Sequence, residues 1–485
     1  MLLAVRTTVK LCVFVLGIVI TLPVILYRLI LSTLVSYFYS MKMVESRSSC
    51  FLAEDFHLKD SYTSMLIIEL DSGQHLELSE LRRLVQERII DDAKYSELRS
   101  TVTQFMGYLF WKEDEEFKIE HHINELKDLK VPSADLACPN EVDELARNLI
   151  RCRSWKKNKP LWEIILASTN SEIRAGSDKK DVIFVKYHHG MMDGFAAFNM
   201  LGQLLGQGDL SMKAICINQV KKPTRNWNMI YKLVSSLAIA PIDVWQYFYS
   251  VDGVTCKLPA LSSEHETNFN VISHAGKLEI IKAAKWRHKV DFNSVYVAGI
   301  TAFYRNVLLT SGHIINHDAT VGVVLLMPGH PGTMSNYIIA ANLVLPLRES
   351  DRIKRLQLIS QQIKRVTRSQ VPRFIFLIFT WLGSLPHPLL KWVRNQGIIF
   401  KNHFVATNIG GGSENHTLTL GEKTISGLRS VMNTTKDGPG FKIGLLTYNG
   451  DVRVTACFKG GLLPERPQNM MAECFHEWEA LNREY

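Results

Sequence analysis

Two adjacent histidines close the run Val182-Ile183-Phe184-Val185-Lys186-Tyr187-His188-His189, and Gly190-Met191-Met192-Asp193-Gly194 follows directly. An imidazole with an ordinary pKa of about 6.5 takes up a proton at neutral pH, which suits a general base acting on a hydroxyl or an amine. The β-branched and aromatic run predicts a strand. Apolar spacing at Phe198, Leu201, Leu204 and Leu205 predicts a helix that begins near Asp193. Strand ends facing a following helix are where α/β proteins place ligands. Successive strand side chains point to opposite faces, so one histidine reaches a cleft and the other packs or hydrogen-bonds within the fold. Asp193 suits the helix N-terminus, where a carboxylate is favoured, and Gly194 permits a close approach of strand to helix. Taken alone, the same residues also fit two structural histidines ahead of an Asp-capped helix.

Other chemistries find less support. There is no H-E-x-x-H and no cysteine cluster, and adjacent histidines diverge, so no metal site is expected. No G-x-S-x-G elbow and no Walker A loop occur, which argues against a serine hydrolase or a nucleotidase. The 56 Lys+Arg against 47 Asp+Glu leave a net charge of +9 spread along 485 residues. This mild excess suits an acidic membrane surface or phosphate-bearing ligands, and no basic-aromatic module points to nucleic acid. Eight cysteines without a C-x-x-C are too sparse for a disulfide scaffold, and a reducing, cytosol-facing location is the simpler reading.

The elements that must position the histidines alternate between helix and strand patterns. Helices are predicted around Leu78–Ile89 and Val142–Leu149, behind a possible Asn140 cap, and strands over Trp162–Ala167 and Val182–Tyr187, with an exposed loop from Thr169 to Asp181. A crossover at 211–265, holding an aromatic-rich helix candidate (Trp227–Tyr249), divides the body into a domain at 46–210 and another at 266–485. In the second, helices are predicted near Asn293–Leu309 and Ile353–Val366, and a strand at Val321–Met327. A hairpin spans Lys442–Phe458, turned by Asn449-Gly450, and a last helix carries Met471, Cys474, Phe475, Trp478 and Leu481. Mixed elements in both halves argue α/β or α+β layers. Phe374–Leu385 is apolar but too short to span a bilayer, and reads as a core helix or a surface that dips into lipid.

The first 45 residues read as an uncleaved membrane anchor in preference to a cleaved signal peptide, for which Arg6 and Lys10 would be the basic n-region. The apolar run is too long for an ordinary signal, and no small-x-small site ends it. Leu11–Tyr27 carries no charge, and a second apolar stretch runs from Leu29 to Tyr39, together exceeding the ~20 residues a spanning helix needs. Arg28 is expected to snorkel at an interface, and Pro23 to kink the helix or turn it into a hairpin. Arg6 and Lys10 balance Lys42 and Arg47, so the positive-inside rule does not choose an orientation. The sequons at Asn415 and Asn433 are usable only if the body is lumenal.

His188-His189-Gly190-Met191-Met192-Asp193-Gly194 resembles the HHxxxDG motif of the CoA-dependent acyltransferase superfamily. Pro160-Leu161-Trp162-Glu163 resembles the PLWE block of the wax ester synthase/diacylglycerol acyltransferase family. Ala341-Asn342-Leu343-Val344-Leu345-Pro346-Leu347 resembles its Gly-Asn…Leu-Pro block, Thr407-Asn408-Ile409-Gly410-Gly411-Gly412 its Ser-Asn-Val-Pro-Gly-Pro block, and Leu446–Gly450 its C-terminal tyrosine hairpin. The chain departs from the family pattern at Ala341 (usually Gly) and at Gly410 and Gly412 (Pro). It also lacks the arginine usual in the Met327–His330 region.

The resemblance implies two chloramphenicol-acetyltransferase-like α/β domains with a tunnel between them. His189 is the implied general base, His188 supports its geometry, and Asp193 is structural, pointing away from the imidazole. Asn408, Thr407 and Asn342 are candidates for substrate or oxyanion contacts. Pro160, Leu161, Trp162 and Glu163 fix the strand beside the histidines. The implied reaction moves a long-chain acyl group from acyl-CoA to a lipid alcohol, giving wax ester or triacylglycerol, with no bound cofactor and no metal. The body is expected on the cytosolic face of the endoplasmic reticulum. Amide-forming or short-chain transfer on the same fold, or a non-catalytic lipid-binding role, are the alternatives.

Overall fold

Runs of β-branched residues with no polar interruption need cover on both faces, and this chain meets that need with two six-stranded sheets flanked by helices. The computed structural model describes residues 2–55, 61–131, 141–167, 180–206, 245–247, 258–263, 269–395, 402–410, 417–435, 438–464 and 470–483. The expected 169–181 loop (up to residue 179), the Asn140 cap, most of the 211–265 crossover and the Asn415 sequon lie outside the described residues.

The chain opens with α1 (Leu2–Tyr39), β1 (Lys42–Met43) and α2 (Ser46–Leu52). Then come β2 (Thr63–Leu70), α3 (Leu78–Val85), β3 (Ser100–Phe105), β4 (Tyr108–Glu113), β5 (Ile123–Glu125), α4 (Glu141–Cys152), β6 (Trp162–Ala167), β7 (Val182–His188) and α5 (Gly194–Leu204). The C-terminal half starts with β8 (Phe269–Lys277), α6 (Leu278–His288), α7 (Phe292–Thr310), β9 (Ala319–Leu326) and β10 (Ile338–Leu345). Three helices follow, α8 (Arg352–Arg368), α9 (Val371–Gly383) and α10 (His387–Asn395), then β11 (Phe404–Gly410), β12 (Thr419–Leu420) and β13 (Lys423–Met432). The hairpin β14 (Phe441–Tyr448) and β15 (Asp451–Lys459), and α11 (Ala472–Arg483), end it. Asn449 and Gly450 both take positive φ, 48° and 79°, as a two-residue hairpin turn requires.

One sheet has the order β12-β13-β2-β7-β6-β5 and the other β10-β9-β11-β14-β15-β8. The C-terminal half therefore lends two strands to the N-terminal sheet: β13, deep in the C-terminal sequence, pairs antiparallel with β2, Met432 opposite Ser64 and Val431 opposite Met65. Each sheet has its own core. Tyr296, Phe303, Phe404, Phe441 and Trp478 fill the C-terminal one; Ile68, Leu81, Tyr95, Trp162 and Phe198 fill the N-terminal one.

The N-terminal segment is one continuous helix through Pro23, so no hairpin forms there. Arg28 does not snorkel: it is buried, donates to the Val44 carbonyl at 2.7 Å and lies over the Tyr108 ring. Leu31 and Val35 pack with Met41, Tyr108 and Phe110 on the small sheet β1-β4-β3, while Leu22, Leu26, Leu29, Ile30 and Leu34 stay exposed. By length and composition, Val19–Tyr39 is able to cross a membrane. The apolar stretch at 374–385 is mixed: on α9, Ile375 and Leu382 are buried and Leu377 is exposed.

Candidate active site

The two histidines diverge as strand geometry demands. His188, the last residue of β7, sits opposite Thr63 of β2, and its N–H donates to the Leu161 carbonyl at 2.9 Å. Its side chain is fully buried. The Gly190 N–H donates to His188 Nδ1 (3.0 Å), so Nε2 carries the proton and faces Glu54 Oε1 at 3.0 Å. Burial works to raise the Glu54 pKa, but His188, Arg394 (2.8 Å) and the Tyr62 N–H outweigh it and hold the carboxyl below its usual range. His188 is thereby clamped in one orientation. A Cβ at Gly190 would run into Leu52 of α2, so glycine lets this helix close over the turn.

His189 turns the other way and keeps partial exposure. Its backbone N–H donates to the Tyr62 carbonyl at 2.7 Å, and its ring stacks on Phe51 of α2. Nδ1 lies 3.0 Å from Asn336 Oδ1, on the loop between β9 and β10. Burial pushes the imidazole down to about 4; Asp193 opposes the shift, and Lys442, itself lowered to about 8 by burial, reinforces it. The ring is neutral at pH 7, with lower basicity than an unperturbed histidine. Segments from both halves of the chain meet on this one side chain.

Asp193 points away from the imidazole. Oδ1 caps α5 by accepting from the Ala196 N–H at 2.9 Å. Oδ2 accepts from the Tyr337 N–H at 2.8 Å and faces His330 Nε2 at 3.3 Å. The Gly332 N–H occupies His330 Nδ1, so the His330 proton sits on the nitrogen facing Asp193. The region that lacks the family's arginine thus supplies a histidine to this buried carboxylate. A Cβ at Gly194 would meet the Cδ1 methyl of Ile409 at 2.9 Å, so glycine lets this side chain lie close against the start of α5.

The Pro160-Leu161-Trp162-Glu163 block is buried beside the histidine strand. Trp162 donates to the Leu98 carbonyl at 2.7 Å and stacks on His122. Glu163 binds Lys186 and Arg153; burial works to raise its carboxyl, and the two cations outweigh that and hold it at about 2. Thr407 and Asn408 lie on β11 next to Ile409, the residue that touches Gly194, and the Asn408 amide donates to Asn293 at 3.2 Å. Asn342 is differently employed. It sits within β10, opposite Gly322, where its Oδ1 accepts from Asn402 at 2.8 Å and its N–H bonds the Tyr247 hydroxyl. Asn336, six residues earlier, is the asparagine that reaches His189. The sequence carries no sign of it: a lone Ser-Asn in a loop is ordinary turn composition. Glu54 and Phe51 likewise carry no signal, being brought in by a short helix far from the motif. No group of three or more metal-ligating side chains gathers among the described residues.

Two six-stranded sheets with flanking helices are the fold that acyltransferases and condensation domains share. Solved structures agree on the fold. The wax ester synthase/diacylglycerol acyltransferase from Marinobacter aquaeolei VT8 superposes with a TM-score of 0.57 at 14% identity, covering 91% of this chain and 99% of that one. The TRI3 trichothecene 15-O-acetyltransferase from Fusarium sporotrichioides gives 0.57 at 12% identity, over 91% and 95% of the chains. The first condensation domain of the CDA synthetase gives 0.54 at 12%, again over 91% and 95%.

Residues 59–242 match the wax ester synthase/diacylglycerol acyltransferase catalytic domain, and residues 334–481 match the C-terminal domain of the same family. A Mycobacterium tuberculosis protein described as a probable diacylglycerol O-acyltransferase is 24% identical over 328 residues, 63% of this chain and 67% of that protein. The chain belongs to the wax ester synthase/diacylglycerol acyltransferase family and is an acyltransferase.

Proposed function

We propose that the protein transfers a long-chain acyl group from acyl-CoA to the hydroxyl of a lipid alcohol, a fatty alcohol or a diacylglycerol, at a membrane surface. His189 carries this reading: it is a neutral, partly exposed imidazole at the meeting of α2, the end of β7 and the loop before β10. Its ring takes the hydroxyl proton as the alcohol oxygen attacks the thioester carbonyl carbon. The tetrahedral oxyanion then collapses, the C–S bond breaks, and the imidazolium returns the proton to the departing CoA thiolate. A thioester needs a positioned base, exclusion of water and a donor for the oxyanion, and no metal step enters. Thr407 and Asn408 are the candidate donors. A lipid alcohol suits the aromatic surroundings of His189, where Phe51 leads on to Phe379 of the apolar helix α9, ring centroids 6.3 Å apart.

Membrane association rests on two features. The exposed face of α1 is apolar over Leu22–Leu34. Residues 352–413 contain ten Lys and Arg and no Asp or Glu. Arg352, Arg355 and Arg394 are tied to Glu477 and Glu54, and the other seven, with Leu377, Leu389 and Trp392 exposed in the same stretch, make a composition suited to an anionic bilayer surface. Acyl-CoA is a cytosolic metabolite, so the body faces the cytosol, and the endoplasmic reticulum follows for a cell that has one. The Asn433 sequon agrees with that side: its amide is buried and donates to the Ser61 carbonyl, out of reach of glycosylation in the folded chain.

The test is an assay with labelled palmitoyl-CoA against hexadecanol, dioleoylglycerol, a long-chain amine and short alcohols, run with the native chain and His189→Gln. Esterification of a lipid alcohol that drops about 100-fold or more in the variant is expected, the range a general base contributes. Amide products alone, or full activity in His189→Gln, would overturn the reading.

A further inference from the structure

Asn336 is held from more directions than a loop asparagine needs. Its neighbours are both gripped by Asp193: the Asp193 N–H donates to the Ser335 carbonyl at 3.0 Å, and the Asp193 carboxylate accepts from the Tyr337 N–H at 2.8 Å. Its own carbonyl accepts from Arg47 Nε at 2.7 Å, from α2. Its Nδ2 lies 3.0 Å from Ser48 Oγ and 2.9 Å from the His189 carbonyl oxygen. A carbonyl oxygen only accepts, so the atom facing it is the amide NH2, and the side chain has a single possible orientation. Both amide protons are then placed, and Oδ1 is the atom left 3.0 Å from His189 Nδ1.

That oxygen has no proton to give. The bond exists only if His189 Nδ1 donates it, which leaves the lone pair on Nε2. With the opposite tautomer two lone pairs would face each other at the same distance. We propose that Asn336 is a positioning residue that fixes His189 as the Nδ1–H tautomer and so makes Nε2 the base, and that Asp193 acts on catalysis by holding the Ser335-Asn336-Tyr337 backbone in register with the imidazole. This deepens the acyltransferase reading and rests on it. It also explains how an aspartate aimed away from the reacting atoms bears on the reaction: its two backbone contacts flank the asparagine whose side-chain oxygen faces His189 Nδ1.

The experiment compares the native full-length chain with Asn336→Ala, Asn336→Asp, Asp193→Asn, the Asn336→Ala/Asp193→Asn pair and His189→Gln, in the same membranes with palmitoyl-CoA and the best acceptor. Asn336→Ala is expected to lose about 10- to 100-fold in kcat, with KM for acyl-CoA within about twofold, the scale of losing a partner that orients a reactive imidazole. Asn336→Asp keeps an acceptor on Nδ1 and adds a negative charge, so the acid limb of kcat/KM is expected to move up by about one pH unit or more. A merely structural role would scale the rate without moving that limb. The double variant is expected to be no slower than the slower single one, because both act through one contact. An unmoved acid limb in Asn336→Asp, kcat within twofold of native in Asn336→Ala, or additive losses would overturn the proposal. Should the variants not fold, nitrogen NMR of histidine-labelled native protein still decides it. The His189 signals, identified by their loss in His189→Gln, must show the proton on Nδ1, and a proton on Nε2 refutes the assignment. Full activity in His189→Gln would instead bring down the acyltransferase mechanism itself, whatever the tautomer.

Discussion

The phenyl ring of Phe51 lies over the imidazole of His189, centroids 4.4 Å apart and planes 21° from parallel. Phe51 also meets Tyr62 edge-on and Phe379 at a tilt, so it is wedged between the turn after β7 and α9. It covers one face of the ring. Phe51→Ala is expected to reduce kcat about fivefold, the equivalent of the ~1 kcal/mol such ring pairs contribute beyond burial, and to raise the acid limb of the pH profile as water enters. Phe51→Leu should fall between the two. Steady-state kinetics across pH check both, and an unchanged profile in Phe51→Ala would remove the shielding role.

The depressed pKa of His189 sets the sign of the pH dependence. An unperturbed histidine near 6.5 is mostly protonated at pH 5.5, whereas this ring, at about 4, is still neutral there. Activity should therefore stay level from pH 8 down past 6 and fall only toward pH 4. The unfolded chain takes up this proton first, so His189 subtracts stability as pH drops between its unfolded and folded values. Short pH-jump assays with return to neutral pH separate the reversible loss from unfolding. A midpoint at 6.5 would contradict the burial described.

Glu163 ties Lys186, almost wholly buried, to Arg153 beneath the histidine strand, at 2.8 and 2.7 Å. Glu163→Gln leaves the Lys186 ammonium without its countercharge, and a loss of roughly 3–5 kcal/mol of stability is expected. Replacing both by methionine should restore most of it, since breaking a buried pair costs more than replacing it. Urea unfolding monitored by tryptophan fluorescence reads this directly. The native carboxylate, held at about 2, contributes stability above the unfolded pKa near 4.3 that is lost as pH falls toward 2.

Membrane association has a salt and lipid signature. Cations in 352–413 without a single acid should make retention on vesicles containing anionic lipid exceed that on neutral ones, with the difference shrinking as salt rises. Leu26→Asp with Ile30→Asp, on the exposed face of α1, should release the chain from membranes in alkaline carbonate. Leu377→Glu with Trp392→Glu should weaken anionic-vesicle binding about tenfold while leaving the α1 contribution. Flotation assays distinguish the two, and indifference to both pairs would remove the membrane from the account.

Much of this protein is legible in its linear order, because the determining physics is local. The strand over 182–188, the Asp193-capped helix, the strand at 162–167 and the Asn449-Gly450 turn follow from period, capping and φ preference among near neighbours. The divergence of His188 and His189 follows from the pleat alone. The family motifs add the class of reaction, since their residue types and order survive where overall identity does not.

What only the tertiary structure decides are the partners of those residues. Glu54 clamps His188 across 134 positions, and Asn336 meets His189 across 147. Asn342, in a better-looking motif, is absorbed by the interior of its own sheet. The burial that lowers the His189 pKa comes from surroundings drawn from both halves of the chain, and the return of β13 to the N-terminal sheet has no local cue. Side-chain type and spacing are properties of neighbours along the backbone. Which nitrogen holds a proton, and how tightly, depends on dielectric and hydrogen-bond partners that exist only after distant segments have packed.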